Sequence, residues 1–128
     1  MPETIRTLVD VRIDGGPSLS AAPSASIGAY DKLSVTVAAD DNGTPGEETV
    51  PVQPAATADV RVLMITSTRY DPADLEYDLG GVTIALDGPQ LFTGGGMMSL
   101  FASDPDEMVI RNSLDSPVTV SVLVGRTT

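Results

Sequence analysis

Histidine, cysteine and tryptophan are absent from the 128 residues. Without His or Cys the chain can build no Ser-His-Asp triad, no thiol nucleophile, no imidazole or thiolate zinc site and no disulfide. Aromatic residues make up only 4%, so a core must come from Val, Ile, Leu, Met and Ala. Such a core is thin, which suits a small sandwich or a domain that gains stability by oligomerising. Lysine is nearly absent too: Lys32 stands alone beside the arginines. With 18 acidic and 7 basic side chains the formal charge is −11. That balance speaks against a nucleic-acid partner, whose phosphates call for a Lys/Arg surface, and against an anionic membrane surface. Long apolar runs are missing: Val62-Leu63-Met64-Ile65 is far too short to span a bilayer. The start, Met1-Pro2-Glu3-Thr4, has neither a basic n-region nor an apolar h-region, so synthesis in the cytoplasm without a signal peptide is expected.

The residues that are present suit one folded domain over 1–128. The hydrophobic share is 41%, and the 12 Gly and 10 Pro imply frequent turns and no long helices. Residues 4–14 alternate, with Ile5, Thr7, Val9, Val11 and Ile13 on one face, which predicts a half-buried strand. Residues 15–29 are rich in Gly, Ser, Ala and Pro and are expected to form a long surface loop, disordered or an arm that orders against a neighbour. A strand is predicted over 30–39 with Leu33, Val35 and Val37 inward. Pro51 and Pro54 demote 49–53 to an edge strand or extended loop. The segment DVRVLMIT (59–66) is apolar on both faces, Leu63 and Ile65 lying opposite Val60, Val62 and Met64, which implies burial on both sides. Further strands are predicted at 75–79, 82–86, 108–112 and 118–124, and MMSLFA (97–102) is expected as an apolar strand after the break at Gly94-Gly95-Gly96. The sum is an all-β chain: a single antiparallel β-sandwich or jelly-roll-like domain of about eight to nine short strands.

Candidate sites are few. Asp40, Asp41, Asn42, Glu47 and Glu48 crowd one segment, and oxygen-rich loops can hold calcium, but the EF-hand spacing is absent and a solvated acidic turn explains them. Asp104, Asp106 and Glu107 form a second such turn. Paired carboxylates could serve a glycosidase, yet the aromatic platforms that hold sugar rings are missing. Gly94-Gly95-Gly96 lacks the Lys and helix of a phosphate loop and is expected to be a hairpin or bulge. Asn42-Gly43-Thr44 matches a glycosylation sequon and is taken as a turn. No catalytic residue or cofactor is expected. The apolar side chains Leu63, Ile65, Met97, Met98, Leu100 and Phe101 belong either to the core or to a subunit interface, and the interface is the expectation carried forward. Arg61 and Arg111 are expected to pair with neighbouring carboxylates.

Between 82 and 126 the order is VTIALDG, then PQLFTGGGMMSLFA, then MVIRNS, and a closing valine-rich VTVSVLVGR. This pattern resembles small all-β structural proteins of tailed phages and phage-like particles: capsid decoration proteins and other virion-associated subunits. The resemblance implies a homo-oligomer, often a trimer, that sits on a capsid or particle surface and does no chemistry. Such proteins often use an N-terminal arm, whereas here a regular strand starts at Thr4. The alternative is a β-sandwich module binding carbohydrate or a protein partner through the 15–29 and 40–48 segments.

Overall fold

The computed structural model describes residues 3–52 and 59–127. Twelve strands and one short helix follow in order: β1 (Glu3–Arg6), β2 (Val9–Arg12), β3 (Ser18–Ala21), β4 (Ser24–Ile27), β5 (Ala29–Val37), β6 (Gly46–Pro51), β7 (Val60–Ser67), β8 (Leu75–Leu79), β9 (Val82–Ala85), β10 (Gln90–Thr93), α1 (Gly94–Met98), β11 (Glu107–Asn112) and β12 (Val118–Arg126). Gln53 and Pro54, expected near an edge strand, lie outside the described residues. Among the described residues no helix is long and apolar enough to cross a membrane.

Strands β5 to β12 form two four-stranded antiparallel sheets, ordered β10-β7-β12-β5 and β6-β11-β8-β9. The pairing is nested. β8 pairs with β9, β7 with β10, β6 with β11 and β5 with β12. The chain therefore behaves as one long ribbon doubled back at Gly80-Gly81 and rolled into two layers, which is the jelly-roll strand order. The doubling point is set by local chemistry. Gly80 and Gly81 both have positive φ (56° and 80°), as a two-residue hairpin turn that matches strand twist requires. At Gly80 a Cβ would stand 2.7 Å from Phe101 Cβ and from the Ser103 carbonyl oxygen.

The core fills the space between the sheets through strict alternation. Leu75, Tyr77 and Leu79 come from β8, Met108 and Ile110 from β11, and Val118, Val120, Val122 and Val124 from β12. The Tyr77 hydroxyl, fully buried, donates to Gln90 Oε1, and Gln90 Nε2 donates in turn to the Ala85 carbonyl at 2.7 Å. Burial pushes the Tyr77 phenol pKa up, so it stays a neutral donor. Asn112 is the buried polar side chain among the described residues. Its Nδ2 donates to the carbonyls of Val37, Ala38 and Ser116 (3.3, 3.2 and 2.9 Å), and its Oδ1 accepts from Leu114 N (2.9 Å). One side chain thereby ties the end of β5 to the turn between β11 and β12.

Three expectations are corrected. Residues 97–102 are not a strand. They belong to α1 and the turn after it, so that Met98 and Phe101, three apart, point into the core while Met97 and Leu100 point out. The Gly94–Gly96 run opens this helix rather than a hairpin. Residues 15–29 are not a loop either, since they carry β3 and β4.

Candidate functional site

The first 25 described residues make a structure of their own. β1 pairs with β4 and β2 with β3, both antiparallel. Arg6 faces Ser24 and Val9 faces Ala21, so no residue is inserted between the halves and the register runs unbroken from Glu3↔Ile27 to Arg12↔Ser18. The ladder lapses at Thr7 because its partner there, Pro23, has no N–H: Thr7 N donates to the Pro23 carbonyl (3.0 Å) and nothing returns. The tip closes at 13–16, where Gly16 N donates to the Ile13 carbonyl (2.8 Å) and Gly15 takes φ 72°.

An unbroken register sorts every side chain to one of two faces. Odd-numbered positions share one: Ile5, Thr7, Val9, Val11 and Ile13 with Leu19, Ala21, Pro23, Ala25 and Ile27. Even positions share the other: Arg6, Asp10, Arg12 and Asp14 with Ser18, Ser20, Ser24 and Ser26. Leu8 and Ala22, beside the proline break, are the exceptions. The product is an amphipathic β-arm. Its base is packed: Ile27 is buried, and the Cα of Gly125 on β12 is approached so closely that a Cβ there would meet Ile5 Cδ1 at 3.1 Å and Ile27 at 3.5 Å. Gly28 N bonds the Arg126 carbonyl (2.9 Å) at the junction with β5. Its tip is bare. Leu8 is 83% exposed, Val11 60%, Ile13 62% and Leu19 78%.

The arm's base rests on the outer face of sheet β10-β7-β12-β5. The register places Tyr30, Lys32, Ser34 and Thr36 of β5 on that face beside Gly125, Leu123, Ser121 and Thr119 of β12, then Val62, Met64 and Thr66 of β7, then Leu91 and Thr93 of β10. No Asp or Glu is among them, in a chain of charge −11. Ser34 and Ser121 hydroxyls lie 3.0 Å apart and those of Thr36 and Thr119 3.2 Å, so this end is a flat hydroxyl ladder. Towards the arm the face turns apolar. A hollow of about 150 Å³ lies between the arm and Val62, Met64, Leu91 and Leu123, and another of about 140 Å³ lies among Lys32, Met64, Thr66, Ser121 and Leu123. The opposite sheet presents a different outer face, with Glu47, Glu76, Asp78 and Glu107 around Arg111. Arg111 holds Asp78 (2.5 Å) and Glu47 (3.3 Å). The Arg111 hydrogen bond, then that of the Thr83 hydroxyl, keeps the Asp78 carboxyl below the usual range.

The residues expected at an interface divide. Leu63, Ile65, Met98 and Phe101 are buried in the core of the single chain, Phe101 with its ring 5.1 Å from that of Phe92. They are not available to a neighbour, and only Met97 and Leu100 of the expected set are exposed. At β7 the regular register sets Leu63 beside Val124 and Ile65 beside Val122 on the inner face, and a register shift adds Val60. Gly125 faces Val62 but Arg126 faces Val60, so Val60 joins Leu63 and Ile65 inside while Val62 and Met64 face out. Besides Met97 and Leu100, the exposed large apolar residues among those described are Leu8, Val11, Ile13 and Leu19 on the arm and Tyr30 and Met64 on the sheet. Alternation over 5–13 was a signal for the first of these. The odd-position series Leu19, Ala21, Pro23, Ala25, Ile27 is the signal that continues it.

The acidic segment is a tight hairpin, with Asn42 and Gly43 both at positive φ and Asp40 Oδ2 accepting from Gly43 N (2.9 Å). Glu47 and Glu48 are neighbours on β6 and so point to opposite faces. Asp40, Asp41, Glu47 and Glu48 are thus not gathered around a point, and among the described residues no group of three or more acidic side chains could hold a metal ion. No protein-family model matches the chain, and no curated protein does either.

Proposed function

We propose that this chain is a non-enzymatic structural subunit that self-associates into a homo-oligomer and belongs on a capsid-like or other particle surface. The observation that carries the reading is the bare apolar tip of the arm. A two-stranded ribbon on its own is marginal in water, and each of Val11, Ile13 and Leu19, which share one face of the tip, would gain roughly 1.5–3 kcal/mol on full burial. Together they can offset an association cost of about 4–15 kcal/mol when several arms are buried in one assembly. The jelly-roll strand order adds an analogy of fold, since capsid proteins use it, although lectins and cupins do too. Light scattering with negative-stain microscopy tests the reading. A defined multimer, as rings or shells, is the expected result; a chain that stays monomeric across the micromolar range overturns it.

A further inference from the structure

We infer that the arm tip of one copy is seated on the outer face of sheet β10-β7-β12-β5 of a second copy. This rests on the self-association proposed above and names its contact. The occupant is argued from three features of the chain itself.

The first is that the tip is bare and that the face is open beyond the base of its own arm, with Met64 36% exposed. The tip offers Val11, Ile13 and Leu19, and the face offers Met64 and Leu123 beside a flat row of hydroxyls. The second is charge. The face carries Lys32 and no carboxylate, and the apolar side of the tip carries no charge at all; Asp10, Arg12 and Asp14 lie on its other side, with Arg12 bonded to Asp10 at 2.7 Å. In a chain of charge −11, this is the face that another copy can approach without facing its own acids; the opposite sheet, with Glu47, Glu76, Asp78 and Glu107, would repel it. The third is reach. Residues 7–13 span roughly 20 Å of extended chain, about the width of four strands, so a tip can cross the whole face. A tip does not reach its own: the base is pinned at Gly125 and Gly28, and β2 and β3 pack on each other rather than on the sandwich.

The chain has no cysteine, which makes the test direct. Leu19→Cys and Ser34→Cys are prepared as separate proteins and mixed with a short flexible bis-maleimide. The expected result is a covalent dimer that joins the two variants and forms at least tenfold more than either variant forms with itself. In parallel, sedimentation of Leu19→Ser and of Ser121→Glu should show association weakened tenfold or more by each. The double variant should be no weaker than the worse single one, because both act on one contact. Circular dichroism confirms that each still folds. Leu19→Cys joining chiefly to itself would mean tip-to-tip packing and overturns the inference, as does unimpaired assembly of Ser121→Glu. In both cases the wild-type oligomer persists and self-association stands. A wild-type monomer overturns both together.

Discussion

Asn112 concentrates polar bonding where the rest of the interior is aliphatic. Replacing it with Ala leaves the carbonyls of Val37, Ala38 and Ser116 and the Leu114 N–H without that partner, and a buried unsatisfied group costs about 1–3 kcal/mol. Asn112→Ala should therefore lower stability by about 2–3 kcal/mol, seen as a lower urea midpoint at unchanged slope. An unmoved midpoint would mean that water replaces the amide. Nothing in the sequence marks this residue, because an Asn before Ser-Leu-Asp-Ser-Pro reads as an ordinary turn former; its role depends on Val37 and Ala38, far away along the chain. The Tyr77–Gln90 pair is hidden for the same reason, whereas the Asn42-Gly43 turn declares itself locally.

Among the elements, those with β-branched residues at period two were legible: β5, β7, β8, β9, β11 and β12 fall close to where alternation places them. Two were not. β3 (SLSA) and β4 (SASI) are mostly Ser and Ala, which have little strand propensity, and they hold because β2 and β1 supply Val11, Val9 and Ile5 opposite them. α1 starts with three glycines, among the poorest helix formers, and exists because one helical turn delivers Met98 and Phe101 to the core. The arm as an element hangs on Gly125. Gly125→Leu should push Ile5 and Ile27 off β12 and lift the base, raising tryptic cleavage after Arg6 and Arg12 about tenfold while the sandwich keeps its unfolding midpoint. Cleavage at the wild-type rate would show that the arm is held elsewhere.

For the whole molecule, charge sets the pH response. Asp78 is held below its ordinary pKa by Arg111 and Thr83, and Asp71 by the N–H groups of Ala73 and Asp74. A carboxyl whose folded pKa is depressed adds stability above its unfolded value, near 4, and loses it as pH falls through the folded value. Mild acidification from neutrality works the other way, since it relieves repulsion in a chain of charge −11. Urea midpoints should accordingly hold or rise from pH 7 to about 5 and fall below about 4, and Asp78→Asn should flatten that fall. An identical acid limb in the variant would remove Asp78 from the account. The sandwich class was legible at this scale from strand count and turn spacing. The nested strand order was not, because which strand pairs with which is decided across distances that periodicity does not record. The outward sheet face was missed for a smaller reason: DVRVLMIT is apolar on both faces, so alternation alone does not say which side of β7 turns out.

The nested pairing also orders events in time. β5 has a single hydrogen-bonded neighbour, β12, and β12 lies between β5 and β7. A growing chain on the ribosome has made its entire hairpin arm when it has yet to make the strand that carries Gly125, Leu123 and Ser121. The base on which the arm rests and the sheet face beside it therefore both wait for β12, the last strand to be made. Pairing of β5 with β12 joins the first strand of the sandwich to the last, and long-range closure of this kind is slow.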